Sequence, residues 1–247
     1  MERQKISSAE VSPCPADPRS TTSSASGCAP QSWRSSIGSN VATGNHRSYD
    51  AFKRVLDVLG SFVSLVLLSP VILLTALLVQ LRLGSPVLFI QDRPGRGGRV
   101  FRLYKFRSMR KLDEERSWVT DEQRLTRFGR TLRSTSLDEL PSLWNVLRGD
   151  MSFVGPRPLL VEYLEQYSPA QARRHEVRPG ITGLAQVNGR NHVRWSERFT
   201  LDVAYIENRG FWMDARILCA TVRTVFTRQG ISQDGHATMK RFGEGDG

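Results

Sequence analysis

Residues 58–81 read VLGSFVSLVLLSPVILLTALLVQL, with no charged side chain among them. A run of this length is enough for a transmembrane helix. Two features argue against a straight span. Ser69-Pro70 falls near the middle, where proline removes a backbone hydrogen bond and clashes with the preceding turn, so a helix bends there. Lys53 and Arg54 precede the run, while Arg82, Arg93, Arg96, Arg99 and Arg102 follow it, so both ends favour the same face of a membrane. A re-entrant hairpin that breaks at Ser69 and Pro70 meets both conditions. Each arm, at about 1.5 Å per residue, then penetrates little more than one leaflet before the chain turns back.

Upstream, residues 1–48 are rich in Ser, Thr, Pro, Gly and Ala and show no helical or strand periodicity; a disordered tail is expected. No apolar core follows the first basic residues, so this is no secretory signal. The three cysteines, Cys14, Cys28 and Cys219, form no C-x-x-C pair, which speaks against a zinc site or a disulfide framework. The net charge of +11 calls for a negative partner: nucleic acid, an anionic membrane face or a nucleotide-sugar.

Downstream, residues 87–90 form a short apolar run, 93–99 (RPGRGGR) carry turn chemistry, and 100–106 alternate, with Phe101, Leu103 and Lys105 facing away from Val100, Arg102, Tyr104 and Phe106. A strand, a basic loop and a strand follow from this. The loop arginines suit either solvent or anionic headgroups. Residues 112–123 read as a charged surface segment, and 124–133 as a short amphipathic helix with Leu125, Phe128 and Leu132 as its stripe. Residues 159–166 look helical, and Ser168-Pro169 caps a helix to about Glu176 on which His175 is expected at the surface, with no catalytic role. The glycine-rich stretch 179–190 has a composition that lets backbone approach a ligand closely. Two further amphipathic helices are expected over 193–205 and 212–226, the second suited equally to the membrane interface and to core packing. Residues from about 232 onward read as a loose tail.

The densest chemistry lies in residues 132–158, LRSTSLDELPSLWNVLRGDMSFVGPRP. Asp138 and Glu139 are adjacent carboxylates, and Pro141 close behind marks a helix start. Leu140, Leu143, Trp144 and Leu147 continue at helical spacing, and Gly149 stops the helix. Arg133 precedes the pair, and Arg157 sits in the rigid Gly155-Pro156-Arg157-Pro158; both offer fixed-charge forks suited to phosphate oxygens. A Ser-x-Asp-Glu run is often no more than a helix cap. Carboxylates between arginines at a helix start nevertheless suggest metal-assisted phosphoryl chemistry, with Mg²⁺ on Glu139.

Taken together, Lys53-Arg54 with Asp57, Ser69-Pro70, Gly84-Ser85-Pro86-Val87, the YKFRSM of 104–109, the TSLDELP of 135–141, the GDMSFVGPRP of 149–158, the RPGITG of 178–183 and the QVNGRN of 186–191 resemble the small monotopic phosphoglycosyl transferases of bacteria. The likeness covers residues 53–231. It implies an α+β protein: a re-entrant membrane helix over 49–84 and a mostly helical catalytic domain over 85–231, with a small β-hairpin and interfacial helices, on the cytoplasmic face of the inner membrane. It also implies UDP-sugar and polyprenyl phosphate as substrates, Mg²⁺ as cofactor, and phosphate contacts from Lys105 or Arg107, Arg133 and the Pro156-Arg157-Pro158 turn. It further implies covalent catalysis by Asp138, whereas the residues alone allow one-step transfer with Asp138 as base. Asp202 and Asp214 are candidate secondary carboxylates, and the Trp195 region is a candidate wall of the sugar pocket. Neither the sugar nor self-association is decided by the sequence. A non-enzymatic, basic, membrane-docked adaptor is the competing reading; it explains charge and apolar helix but not the Asp-Glu pair. No nucleic-acid motif is present, so no nucleic-acid partner is expected.

Overall fold

The computed structural model describes residues 46–113, 119–188, 194–227 and 242 of the 247. The expected N-terminal tail, with Cys14 and Cys28, lies outside the described residues except at its last three positions; Cys219 is free and exposed. Helices α1 (Arg47–Leu67) and α2 (Ser69–Leu83) follow one another across a bend of 63°. Pro70 falls in the first turn of α2, where its missing N–H has no helical partner to lose. The Ser69 hydroxyl donates to the Val66 carbonyl at 2.8 Å. Among the described residues no single helix is long and apolar enough to cross a membrane; only this bent pair meets the length and composition together.

Helix α1 is packed inside out relative to a soluble helix, whereas α2 buries Val79 in the core. The polar side of α1 faces the protein. Asp57, 4 % exposed, accepts the Phe153 N–H at 3.1 Å, and Arg54 donates to the carbonyls of Val146 and Leu147 at 2.7 and 2.9 Å. Asp50 pairs with Arg209 at 2.9 Å, and Lys53 pairs with Asp214. The apolar side, with Phe52, Val55, Leu59, Phe62 and Val66, faces outward and ends at Leu67, 72 % exposed; Leu73 and Leu81 of α2 are each 70 % exposed. A contiguous apolar face of this kind marks a membrane or protein contact.

After α2 comes an antiparallel hairpin, β1 (Leu88–Pro94) and β2 (Val100–Phe106), with Leu88 opposite Phe106 and Pro94 opposite Val100. Arg93 and Pro94 therefore belong to the strand and not to the turn expected over 93–99. The Arg93 guanidinium is held by Gln91 at 2.6 Å and by the Pro158 carbonyl at 3.3 Å, partners that local turn chemistry does not reveal. The two faces of β2 pack separately: Phe106 with Val79 and Leu132, Leu103 with Val146 and Met151.

The remaining elements are α3 (Asp121–Arg124), α4 (Arg127–Ser134), α5 (Ser142–Arg148), β3 (Ser152–Val154), α6 (Pro169–Ala172), β4 (Gly180–Thr182), α7 (Leu184–Val187), α8 (Trp195–Asn208) and α9 (Phe211–Thr227). Strands β3 and β4 pair in parallel. The mixture of helices with two small sheets is the expected α+β class.

Several local expectations are corrected. The helix expected over 124–133 starts only at Arg127, because Thr126 caps it by accepting the Gly129 N–H at 3.0 Å; Leu125 leaves the stripe and bridges Met109. Residues Val161–Gln166, within the stretch that reads as helical, form a 3₁₀ helix. Ser168 does cap α6, and the chain continues as a 3₁₀ turn over Arg173–Glu176. The glycines after Pro179 serve backbone-to-backbone packing: a Cβ on Gly180 would stand 2.1 Å from the Gly155 nitrogen, and one on Gly183 2.2 Å from the Gly155 oxygen. Gly189 and Arg190 lie outside the described residues.

Trp195 is buried and stacks on Phe199 in an aromatic cluster with Tyr163 and Phe242, so it forms core and not an open pocket wall. Phe242 is the one described residue of the expected loose C-terminal tail, and it is packed there. His175 is half-buried, with Nδ1 3.2 Å from the Gly95 carbonyl. In α9, Ile217 points into the core while Phe211, Trp212, Leu218 and Val222 are exposed.

Candidate active site

The site is built where α5 is clasped to β2. Ser142 and Asn145, three residues apart on one helix face, grip both backbone groups of Tyr104. The Ser142 hydroxyl donates to its carbonyl at 2.8 Å, and Asn145 Oδ1 accepts its N–H at 3.1 Å. Asn145 Nδ2 also donates to the Arg102 carbonyl at 2.7 Å, and its own carbonyl accepts the Gly149 N–H at 3.0 Å where Gly149, at φ 102°, turns the chain out of the helix. This clasp fixes Lys105, the next residue of β2, opposite the start of α5. Sequence reading missed both residues. Their signal was two small polar side chains at i and i+3 inside an apolar stripe, which place the buried face on Leu143 and Val146 and leave Trp144 53 % exposed, outside the stripe in which it was expected.

Asn145→Ala removes the buried side chain that partners two backbone groups of β2 at once. It should cost about 2–4 kcal/mol of stability, visible as a lowered thermal midpoint; an unchanged midpoint would show that the clasp holds nothing.

Asp138 and Glu139 sit on a single 3₁₀ turn, Leu137–Glu139, immediately before Pro141 and α5. Ser136 enters that turn with φ 57°, a left-handed conformation that costs a non-glycine residue roughly 1–2 kcal/mol and redirects the chain between α4 and the acidic pair. Lys105 Nζ donates to Glu139 Oε1 at 2.5 Å, and Arg157 Nη2 donates to the same oxygen at 3.0 Å. Burial alone would raise the Glu139 pKa, but Lys105 and Arg157 overcome it and hold the carboxyl down at about 2. Asp138 goes the other way. Burial first, then the neighbouring Glu139 charge, push it up to about 6, against the pull of Lys105, Arg133 and Arg157. Burial lowers Lys105, against the pull of Glu139 and Asp138, and lowers Arg133, against that of Asp138 and Asp121.

The structure thus brings together Lys105, Arg133, Asp138, Glu139 and Arg157. Arg133 reaches from the end of α4, braced by Nε on the Ser108 hydroxyl at 2.9 Å. Arg157 keeps 40 % of its side chain exposed, so a substrate can reach it. Pro156 and Pro158 contribute backbone: the Pro156 carbonyl accepts the Gly180 N–H at 3.0 Å, and Pro158 is the Arg93 acceptor already described. Arg107 is not among the gathered residues. It is buried and donates to the carbonyls of Leu83, Gly84 and Ser85, closing the end of the apolar helix pair onto β2. Asp202 and Asp214 are likewise spent elsewhere, Asp202 against Arg174 at 2.8 Å and Asp214 on Lys53, Tyr49 and Tyr205.

Among the described residues no three His, Cys, Asp or Glu side chains cluster to cage a metal. A smaller donor set is present. Both cationic partners of Glu139 take Oε1, so Oε2 and the Asp138 carboxyl remain as oxygen donors. That set fits Mg²⁺, which is held by one or two carboxylates and completes its shell with water and substrate phosphate.

An acidic pair set among fixed cations, beneath an apolar helix pair, is an arrangement suited to handling phosphate esters at a lipid boundary. Residues 48–228 match the bacterial sugar transferase family, and the chain belongs to it. A sugar transferase of Bacillus subtilis, described as uncharacterized and called EpsL, is 52 % identical over 196 residues, 78 % of this chain and 97 % of that protein. The UDP-glucose:undecaprenyl-phosphate glucose-1-phosphate transferase of Caulobacter vibrioides is 43 % identical over 190 residues, 72 % of this chain and 71 % of that protein. The UDP-N-acetylgalactosamine-undecaprenyl-phosphate N-acetylgalactosaminephosphotransferase of Aeromonas hydrophila is 41 % identical over 188 residues, 72 % of this chain but only 44 % of that protein. The chain therefore spans less than half of some relatives and nearly all of another. Family membership decides against the adaptor reading: the protein is a transferase.

Proposed function

We propose that the protein transfers a sugar 1-phosphate from a UDP-sugar to undecaprenyl phosphate, releasing UMP, in two displacements through Asp138. The observation that carries this reading is the contrast within the acidic pair: Glu139 is neutralised by Lys105 and Arg157, while Asp138 faces the same cations with no hydrogen-bonded partner among the described residues. The relatives' names supply the substrates, which differ in their sugar at similar identity.

In the first displacement an Asp138 oxygen attacks the β-phosphorus, the bond from that phosphorus to the bridging oxygen breaks, and UMP leaves with the electron pair. Arg157 and Arg133 bind the phosphate oxygens and offset the charge that would repel a carboxylate. Lys105 holds Glu139 in place. In the second, an oxygen of the lipid phosphate attacks the same phosphorus and the acyl-phosphate bond breaks, restoring the Asp138 carboxylate. Glu139 would hold Mg²⁺, which would supply positive charge to the diphosphate. The outward apolar face of α1 and α2 lies in one leaflet as a re-entrant hairpin, which keeps the acceptor's headgroup near Asp138 and the catalytic domain on the cytoplasmic side of the inner membrane.

UMP release scored over a panel of UDP-sugars, with undecaprenyl phosphate supplied in detergent, tests the proposal. One or a few sugars should give stoichiometric lipid-linked product, and a panel with no turnover would contradict it. The pH dependence adds a sharper expectation. Only the ionised Asp138 attacks, and its pKa is raised to about 6, so kcat/KM, which reports the free enzyme, should rise about tenfold per pH unit below 6 and flatten above it. A profile flat from about pH 5 to 8 would remove Asp138 from that role.

A further inference from the structure

The turn that carries Arg157 is clamped at three successive carbonyls, and one clamp is a buried ion pair with no other evident purpose. The Pro156 carbonyl is held by the Gly180 N–H of β4, the Arg157 carbonyl by Arg174 Nη2 at 2.8 Å, and the Pro158 carbonyl by Arg93 of β1 at 3.3 Å. Prolines on either side fix φ at two of the three positions. Arg174 is 3 % exposed. The Nη2 that donates to Arg157 also lies 2.8 Å from Asp202 Oδ2, and the guanidinium sits 5.3 Å from the Phe199 ring centroid and 5.7 Å from that of Tyr167. Asp202 on α8 and Arg174 on the preceding 3₁₀ turn thus form a buried ion pair, flanked on one side by aromatic core and ending on the backbone of the residue that grips Glu139.

We propose that Arg174, backed by Asp202, is a positioning residue that sets the height of Arg157 over the acidic pair. The inference rests on the transfer reading for its kinetic consequence, though not for its structural one. A buried arginine could be kept for packing alone, but a packing role gives no reason for its donor to end on the Arg157 carbonyl. An arginine fork can serve a carboxylate and a carbonyl together, whereas a lysine is a point charge on a flexible stem.

The test uses the full chain with Arg174→Lys, which keeps a charge for Asp202, and with the paired change Arg174→Met/Asp202→Leu, which removes both charges of that pair. Hydrogen exchange at the Gly180 amide, which closes the turn through the Pro156 carbonyl, is read first, because it needs no turnover: both variants should exchange faster there while the β1–β2 hairpin stays protected. Single-turnover UMP release should then fall about 30- to 100-fold, the scale of a misplaced catalytic group. In an Arg157→Ala background, Arg174→Lys should cause no further loss, since the residue to be positioned is gone. Unchanged exchange at the Gly180 amide would overturn the proposal, as would a loss that multiplies fully with that of Arg157→Ala. Recovery of wild-type rate by the paired change would overturn it too, by showing that charge balance alone matters. A wild type that releases no UMP would refute the transfer reading, and the exchange result would still stand on its own.

Discussion

Replacing Asp138 by asparagine will abolish lipid-linked product and UMP release, by about 10³-fold or more as expected for loss of a covalent nucleophile, and will at the same time make the protein more stable. The two effects have one cause. Burial and the adjacent Glu139 raise the Asp138 pKa to about 6, so the folded state holds its proton more tightly than the unfolded chain does. A raised carboxyl pKa favours the fold below the unfolded value near 4, and that contribution is lost as the pH rises through about 6. At neutral pH the folded protein therefore carries an ionised aspartate at a net cost. At about 1.4 kcal/mol per unit of pKa, asparagine should recover roughly 1–3 kcal/mol, the lower figure allowing for the anion that Lys105, Arg133 and Arg157 lose. Thermal unfolding at pH 7.5 should show a midpoint several degrees higher, and the gain should shrink as the pH is lowered toward 4. A variant that turns over at the wild-type rate would refute the catalytic assignment; one that is inactive and less stable would refute the electrostatic account of it.

The second large effect concerns the membrane. Phe62 and Val66 stand one helical turn apart on the outward face of α1, each more than half exposed. Aspartate at both positions places two charges where the account puts acyl chains, at about 2.5 kcal/mol or more each near a bilayer centre. The double variant should move from the membrane fraction to the soluble fraction on carbonate extraction, and lose transfer to lipid while keeping UMP release from the nucleotide-sugar. The inward side of α1, where Asp57 and Arg54 bind the catalytic domain, is untouched, so folding should survive. If the doubly charged protein stays with the membrane and still serves the lipid acceptor, the apolar face is not the anchor.

The parts legible in sequence were those with a local cause. Pro70 announced the break between α1 and α2, Gly149 the end of α5, and the β-branched and alternating runs the hairpin, because each acts through its own backbone or its neighbours. The acidic pair and its cations were visible as residue types, and Lys105, Arg133 and Arg157 do converge on it. What distinguishes Arg107 from Lys105, two residues apart on one chain, was not visible. The difference is that the end of α2 returns three carbonyls to Arg107, a tertiary event. The same holds for Asn145 and Ser142, whose value lies in gripping a strand some 40 positions away, and for the glycines after Pro179, whose close neighbour is the backbone of Gly155. Trp195, in a region that is a candidate wall of the sugar pocket, is packed by Tyr163 and Phe242, partners distant in sequence.

The claim on which the mechanism depends is that a phosphorylated sugar becomes bonded to Asp138 before the lipid acts. Incubation of the protein with a UDP-sugar it accepts and Mg²⁺, without any lipid acceptor, followed by acid quench, proteolysis and mass spectrometry, measures this directly. One equivalent of UMP and a sugar-phosphate mass on the peptide containing Asp138 are expected, the latter discharged on adding undecaprenyl phosphate and both absent from Asp138→Asn. Full product formation with lipid, but neither UMP nor a modified peptide without it, would contradict the account and leave direct transfer with Asp138 as base.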